Sequence, residues 1–169
     1  MNTLSKGFIV GAVQVLLLAS VGGKFLYDRA NYPRLWVETA PYDPYLPIRG
    51  RYVSIALVVP AAGVQRAEAP ENGPAMFNAR LEVRGDRLFA VEDPQGRHFV
   101  TSGRCPDRSC WQLATPVAYF IPEHGPDPSR RPEGETLWVE VTLPPTGAPR
   151  PLRLGVKHAG DAKVTPLGS

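Results

Sequence analysis

Hydrophobic and polar residues follow one pattern before residue 30 and a different one after it. Residues 7–23 read GFIVGAVQVLLLASVGG, and Gln14 is the only strongly polar side chain among them. A run that is apolar on every face predicts a helix surrounded by lipid or by protein core. From Pro33 onward, short runs in which apolar and polar residues alternate predict β-strands.

The apolar run is long enough for a membrane anchor once its flank is included. It spans about 26 Å at about 1.5 Å per residue, against a hydrocarbon core of about 30 Å. Lys24 can extend its ammonium to the headgroups, and Phe25–Tyr27 lengthen the apolar stretch. We therefore expect a transmembrane anchor over residues 7–26, after a tail of residues 1–6. Two alternatives stay open: a cleaved signal peptide whose c-region is residues 19–23, and a buried core helix.

The strongest strand signal lies in residues 52–59, which read YVSIALVV. The alternate residues Val53, Ile55, Leu57 and Val59 form one face, and Tyr52, Ser54, Ala56 and Val58 form the other. Because both faces are largely apolar, the pattern predicts a central strand that is covered on both sides.

Several weaker alternating runs follow this strand. Turn residues at Gly85-Asp86 and at Asp93–Gly96 predict that three of these runs form an antiparallel meander. The expected strands besides 52–59 cover residues 34–39, 77–84, 87–92, 97–102, 111–121, 135–143 and 152–156.

Composition agrees with a β-rich body, since the chain has 19 prolines and 16 glycines and no proline before Pro33. Helix interiors tolerate neither residue. We expect a mostly β protein, an antiparallel sandwich or barrel-like domain preceded by one N-terminal transmembrane helix. A juxtamembrane segment and first strand occupy residues 27–40, the β-rich domain residues 41–157, and a flexible tail residues 158–169.

The net charge excludes one class of partner. It is +3 for the whole chain, with 19 basic and 16 acidic residues. Removing residues 1–30 takes away three basic residues and one acidic residue, which leaves 16 against 15, or +1. A nearly neutral body lacks the clustered basic face that nucleic acid requires, so we expect no nucleic-acid partner.

The two cysteines, Cys105 and Cys110, lie in the segment RCPDRSCW. Four intervening residues do not fit a CxxC redox motif, and the turn-forming residues between the cysteines favour a local disulfide. Two free thiols are the alternative. A metal site would need two further ligands from the three histidines, His98, His124 and His158, and we expect none.

Two signals disagree about the side of the membrane. Lys24, Arg29 and Arg34 follow the apolar run, and the positive-inside rule read literally places the body in the cytoplasm. A disulfide needs an oxidising compartment, and long domains are often translocated regardless of flanking charge. We therefore expect the body on the periplasmic or extracytoplasmic side.

Catalytic motifs are scarce. No G-x-S-x-G nucleophile elbow and no glycine-rich phosphate loop are present, and the carboxylates at 92–93 and 133/135 flank turns. We expect no enzymatic activity and no cofactor. The alternative is a membrane-tethered Ser/Lys hydrolase, which would have to use Lys157 or Lys163 with a serine such as Ser54 or Ser102.

The segment PIRGRYVSIAL resembles the signature of the bacterial GDYXXLXY domain family. Gly50 and Tyr52 match the motif, and Ile55 is close to its leucine. Arg51 stands where the family has aspartate, and Leu57 stands where it has the last tyrosine.

A second segment, residues 119–123, reads YFIPE and resembles the family's Tyr-Phe-Val-Pro-Glu segment. The order of the elements agrees over most of residues 7–156. The resemblance implies a membrane-anchored protein with an extracytoplasmic β-rich domain, a family without an established activity whose genes often lie beside that of a multispanning membrane protein. The motif residues either build the fold or form a ligand or partner surface, for which the candidates are Arg49, Gly50, Tyr52, Tyr119 and Glu123.

From these observations we expect a single-pass protein of the inner (cytoplasmic) membrane. Its partners are the lipid bilayer, through residues 7–26, and a membrane or envelope protein that the β-domain binds or stabilises, with a multispanning membrane protein as the candidate. A secreted domain with a cleaved signal peptide remains an alternative.

Overall fold

A computed structural model of the chain describes residues 3–41, 52–64, 73–105, 108–122, 127–145 and 147–168. The chain divides into two compact units, Met1–Pro33 and Arg34–Ser169. Strands make up 49% of the structure and helix 19%, with two sheets and one N-terminal helix. The expected mostly β fold class is therefore confirmed.

The first unit is a single helix, α1, over Thr3–Asn31. The stretch Lys6–Asn31 is long and apolar enough to cross a membrane, and its most apolar window has no part buried in protein. Large apolar side chains are correspondingly exposed, with Phe8 at 82% and Leu18 at 74%. The backbone N–H of Tyr32 donates to the carbonyl of Asp28 at 3.1 Å, and Pro33 then stops the helix.

The second unit contains eleven strands within the described residues. They are β1 Arg34–Pro41, β2 Tyr52–Leu57, β3 Ala61–Ala62, β4 Met76–Arg84, β5 Arg87–Glu92, β6 His98–Cys105, β7 Arg108–Leu113, β8 Val117–Phe120, β9 Glu135–Thr142, β10 Arg150–His158 and β11 Thr165–Pro166. The first sheet has the order β11-β10-β9-β1-β2-β8, and the second has the order β3-β5-β4-β6-β7. All pairings are antiparallel except that of β3 with β5.

The first sheet curls into a half-barrel. Strand β8 lies at one end of the strand order, yet it contacts β10 near the other end. Strand β1 shifts partners along its length, because residues 34–38 pair with β9 whereas residues 39–41 pair with β2. At this fork, the Thr39 hydroxyl donates to the carbonyl of Leu137 at 2.8 Å.

The chain after β2 joins the two sheets. The Val58 N–H donates to the carbonyl of Glu38 in β1 at 2.9 Å, and the Val59 N–H donates to that of Trp111 in β7 at 2.9 Å. The Ala90 N–H of β5 donates to the carbonyl of Pro60 at 2.9 Å, and β3 then pairs with β5. Strands β7 and β3 are the two edges of the second sheet. Residues 58–62 are hydrogen-bonded to the first of these edge strands and contain the second.

The main core lies between the inner faces of the two sheets and has the residues of β2 at its centre. Val53, Ile55, Leu57 and Val59 are all buried in it. Its other buried members are Leu35, Val37, Phe77, Ala79, Leu88, Ala90, Val100, Leu113, Val117, Leu137, Val139, Val141 and Leu154. The prediction of burial on both sides is confirmed for the later part of this segment, where Ala56 and Val58 on the opposite face are buried, whereas Tyr52 and Ser54 at its start are only half-buried.

The predicted meander is wrong. Strands β4 and β5 form the expected hairpin, but β6 pairs with β4 and not with β5. The connection after β5 therefore crosses the start of β4, where the Asp93 N–H donates to the Asn78 carbonyl at 2.9 Å. Gly96 makes the crossing possible, because a Cβ at this position would collide with the backbone of Ala79.

Two further expectations differ from the structure. The predicted strand over residues 111–121 is two strands in different sheets, β7 and β8, with Pro116 between them. Residues after 158 were expected to fray, but β11 pairs with β10, and Leu167 packs against the core. The tail thus contributes the last strand of the first sheet.

Replacing Val59 by Ala should lower the free energy of unfolding of the β-domain by about 2 kcal/mol, because it leaves a cavity where no part of the side chain is exposed. Denaturant unfolding of the full chain in detergent micelles measures the change. The matched control is Val83→Ala, at a valine that is 36% exposed, which should stay within about 0.5 kcal/mol of the parent. Equal losses in the two variants would contradict the central position of Val59.

Candidate functional site

Two of the five surface residues proposed from the sequence lie within the described part of the chain. Arg49, Gly50 and Glu123 lie outside the described residues. Tyr52 belongs to β2 and Tyr119 to the neighbouring strand β8.

The two tyrosines lie on opposite faces of the first sheet. Tyr119 is opposite Val53 and packs against the main core, whereas Tyr52 is opposite Phe120. The Tyr52 and Phe120 rings are 6.4 Å apart between centroids, and Phe120 is 77% exposed. The outer face therefore presents Tyr52 and Phe120 as an aromatic pair, and the alternation within YFIPE is the sequence signal that separates Phe120 from Tyr119.

Cys105 and Cys110 are joined as a disulfide in the hairpin of β6 and β7, with their Cα atoms 5.8 Å apart. Both cysteines are buried, at 1% and 9% exposure, in a second apolar cluster with Ala40, Ala56 and Val58. The Gln112 amide donates to Cys110 Sγ at 3.3 Å. The disulfide therefore covers the outer face of β2, which is a tertiary role that its short loop did not indicate.

A groove of about 630 Å³ opens on the first sheet where β1 leaves β9. Its walls come from the starts of β2 and β9, the ends of β1 and β10, the loop before β9 and the turn after β10. Described side chains in its lining that carry polar groups are Glu38, Thr39, Ser54, Ser129, Arg131, Glu133, Glu135, Thr136, Trp138, Lys157, His158 and Asp161.

Most of the acidic groups in the groove have partners within the protein. The Glu135 carboxylate lies 3.6 Å from Arg131 Nη1 and 3.6 Å from His158 Nδ1. Asp161 Oδ2 accepts from the His158 N–H at 3.4 Å, and Glu38 has interactions of its own. Glu133 is exposed in the loop before β9, and within the described ranges no cation lies at ion-pair distance from it.

Two of the donor groups in the groove lack an acceptor or a counter-ion among the described residues. The Lys157 ammonium lies 5.2 Å from the centroid of the Trp138 ring. In the part of the chain that the structure describes, it has no carboxylate at ion-pair distance. Trp138 Nε1 is buried without a hydrogen-bond acceptor. A buried N–H donor without an acceptor destabilises the folded protein, so a buried indole N–H without one is rare.

A second aromatic–cation pair on the same face shows the contrast. Arg153 lies 5.4 Å from the centroid of the Trp36 ring, and its Nε donates to Glu140 Oε2 at 2.7 Å. Strand register places Trp36, Glu140 and Arg153 directly beside one another. This pair is neutralised within the fold, whereas the pair of Trp138 and Lys157 is not.

The groove brings together Ser54 and Lys157, the residue types that a Ser/Lys hydrolase would use. Activation of the serine requires a hydrogen bond between the two. The described hydrogen bonds include none between them, and the Lys157 ammonium lies over Trp138 instead. Lys163 is not among the residues that line the groove.

Metal ligands do not gather in the described parts of the chain, since no group of three His, Cys, Asp or Glu side chains is found there. His98 lies in β6, where burial lowers its pKa. The pKa of Glu82, on the second sheet, is also lowered, chiefly by a hydrogen bond from Arg84. His124 lies outside the described residues.

Comparison with protein-family models, with characterised proteins and with solved structures finds no match for this chain. The candidate sites therefore rest on the geometry of the chain itself.

Removing the disulfide should cost more than its short loop suggests. In the double variant Cys105→Ala with Cys110→Ala, the loss of loop constraint and of buried sulfur should together cost about 2–5 kcal/mol of unfolding free energy. The double Ser variant should cost still more, because it also buries two hydroxyl groups in an apolar cluster. Denaturant unfolding of the full chain measures both, with Ser109→Ala, at an exposed position in β7, as the control. A loss below about 1 kcal/mol in both variants would contradict a tertiary role for the disulfide.

Proposed function

We propose that the protein is a single-pass protein of the inner (cytoplasmic) membrane whose β-domain lies on the extracytoplasmic side and binds or stabilises a membrane or envelope protein. The observation that carries the proposal is helix α1, whose span Lys6–Asn31 is apolar and unburied. Exposed apolar side chains of this number are unfavourable in water and favourable in lipid. A signal sequence has the same length and composition, so cleavage is the alternative to test.

The extracytoplasmic side is supported by the disulfide. Cys105 and Cys110 are bonded and buried, and such bonds persist in oxidising compartments. Lys24, Arg29 and Arg34 favour the opposite side by the positive-inside rule, but that rule weakens for long translocated domains.

A protein partner is supported by the aromatic pair of Tyr52 and Phe120. Exposed aromatic side chains are enriched in protein interfaces and scarce on other surfaces, and Phe120 is 77% exposed. The resemblance to the GDYXXLXY family supports the same kind of protein, with a multispanning membrane protein as the candidate partner.

A membrane-tethered hydrolase is the second candidate function, since Ser54 and Lys157 line one groove. In this function Lys157, as the neutral amine, would leave Trp138 and take the proton of the Ser54 hydroxyl as that oxygen adds to a carbonyl carbon, whose π electrons move to the carbonyl oxygen. Collapse of this intermediate would then break the bond to the leaving group, which takes the proton from Lys157. Labelling of Ser54 by a serine-directed phosphonate, lost in Ser54→Ala and in Lys157→Met, would favour it over the binding function.

Anchoring is tested by carbonate extraction of membranes from the native host. The full-length chain should stay in the pellet and retain residues 1–23, because the apolar span is in lipid. A control variant with Leu16→Arg and Leu17→Arg should move toward the supernatant, since each charge at a helix centre costs about 2.5–3.5 kcal/mol to insert. A released parent chain that begins near Lys24 would show signal cleavage instead.

The side of the membrane is tested by thiol labelling under denaturing, non-reducing conditions after rapid trapping in the native host. Neither Cys105 nor Cys110 should label before reduction, and both should label after it. If both label fully without reductant, then the extracytoplasmic placement fails, and the orientation favoured by Lys24, Arg29 and Arg34 replaces it.

A further inference from the structure

The groove on the first sheet holds a pair of donors that the fold does not use. Trp138 and Lys157 both point away from the main core, because the alternate residues Leu137, Val139 and Val156 point into it. Trp138 Nε1 has no acceptor, and the Lys157 ammonium has only the indole ring as its described partner.

The acids around these donors do not supply the missing acceptor. Glu135 is held by Arg131 and His158, and Asp161 accepts from the backbone of His158. Glu38 lies opposite Trp138 in the strand register and has interactions of its own, yet Trp138 Nε1 stays without an acceptor. The unmet hydrogen-bonding capacity of β9 and β10 in the groove is therefore of the donor type, and Glu133, a groove carboxylate without a described cation at ion-pair distance, lies in the loop before β9.

We propose that this groove is a binding site for a carboxylate group. In the bound state the Lys157 ammonium swings from the ring to one carboxylate oxygen, and this movement opens the buried Trp138 indole N–H to the other oxygen. Hydrogen bonds to an ionised acceptor are about twice as strong as neutral ones, so a carboxylate gains more here than a neutral carbonyl. The volume of about 630 Å³ is that of a small-molecule or short-peptide site.

The carboxylate could belong to a small free acid or to the C-terminus of a polypeptide. Both present the same two oxygens to Trp138 and Lys157. A chain end would also run along the rest of the groove, where Ser54 offers a hydroxyl group. The inference does not depend on membrane anchoring, since all of these residues belong to the unit Arg34–Ser169.

Binding is measured on the full chain in dodecylmaltoside micelles from the indole N–H signals in ¹H–¹⁵N NMR spectra. The chain has three tryptophans, and Trp138→Phe assigns the signal of interest. The probes are acetate with its neutral analogue acetamide, and Ac-Ala-Ala-Ala with its C-terminal amide. Acetate and the free-acid peptide should shift the Trp138 signal saturably below about 10 mM, and the neutral probes should not.

The source of the carboxylate follows from the relative affinities. Tighter binding of Ac-Ala-Ala-Ala than of acetate identifies a chain end, and equal affinities identify a small acid. No saturable shift with either acid, or equal shifts with acid and neutral probes, would overturn the proposal.

Charge variants test whether the site binds an anion or a cation. Lys157→Met should weaken carboxylate binding about tenfold, and Lys157→Arg should restore most of it. The matched control Lys163→Met removes an exposed lysine outside the groove and should change nothing. Glu133→Gln removes an acid from the exposed rim and should strengthen binding about twofold.

The opposite pattern would point to a cationic ligand and overturn the proposal. Tighter acetate binding in Lys157→Met or weaker binding in Glu133→Gln would each do so. Equal losses in Lys157→Met and Lys163→Met would overturn the proposal in another way, by showing that acetate responds to overall charge and not to this groove. The ¹H–¹⁵N fingerprint of every variant shows whether it is folded, so that a loss of binding is not confused with a loss of structure.

Discussion

The burial of β2 on both faces is the constraint on which the rest of the β-domain depends. Its inner face is the centre of the main core, and its outer face packs against the disulfide through Ala56 and Val58. A polar or charged side chain on either face would lose its hydration without gaining a partner. From Ile55 onward the chain therefore needs apolar side chains on both faces, and the hairpin of β6 and β7 reaches across to cover the outer face.

The same segment also closes the second sheet. Residues 58–62 bond to β7, which is one edge of this sheet, and they include β3, which pairs with β5 and forms the other edge. In the first sheet, the curl of the half-barrel brings β8 close to β10. Both arrangements reduce the exposed backbone edge, which is the feature of β proteins most prone to unwanted pairing. The chain that runs from β2 into residues 58–62 therefore takes part both in packing the core and in covering the sheet edges.

Local patterns in the sequence predicted the elements better than their partners. The two-sided burial of 52–59, the pairing of Cys105 with Cys110 and the apolar N-terminal helix all follow from adjacent residues. The order of strands depends on contacts between residues that are distant in the sequence, and for this reason the predicted meander was wrong. Gly85-Asp86 specifies a hairpin by its own turn geometry, whereas Asp93–Gly96 is a turn whose direction depends on Gly96 meeting the backbone of Ala79. Similarly, a change of sheet between β7 and β8 leaves no periodic signal beyond Pro116.

The positions of the groove residues show why this candidate site could not be predicted from the sequence. Trp138 and Lys157 are separated by 19 positions and occupy ordinary outward positions of two strands. Trp36 and Arg153 have the same chemistry, and the sequence does not rank one pair above the other. Register makes the difference, because it places Glu140 between Trp36 and Arg153, while Thr136 is the residue opposite Lys157. The Glu140 carboxylate turns the first pair into a structural contact. In the second pair a threonine lies opposite the lysine, and although Glu38 lies opposite Trp138, the indole N–H has no acceptor, so an ammonium and an indole N–H can be offered to a ligand.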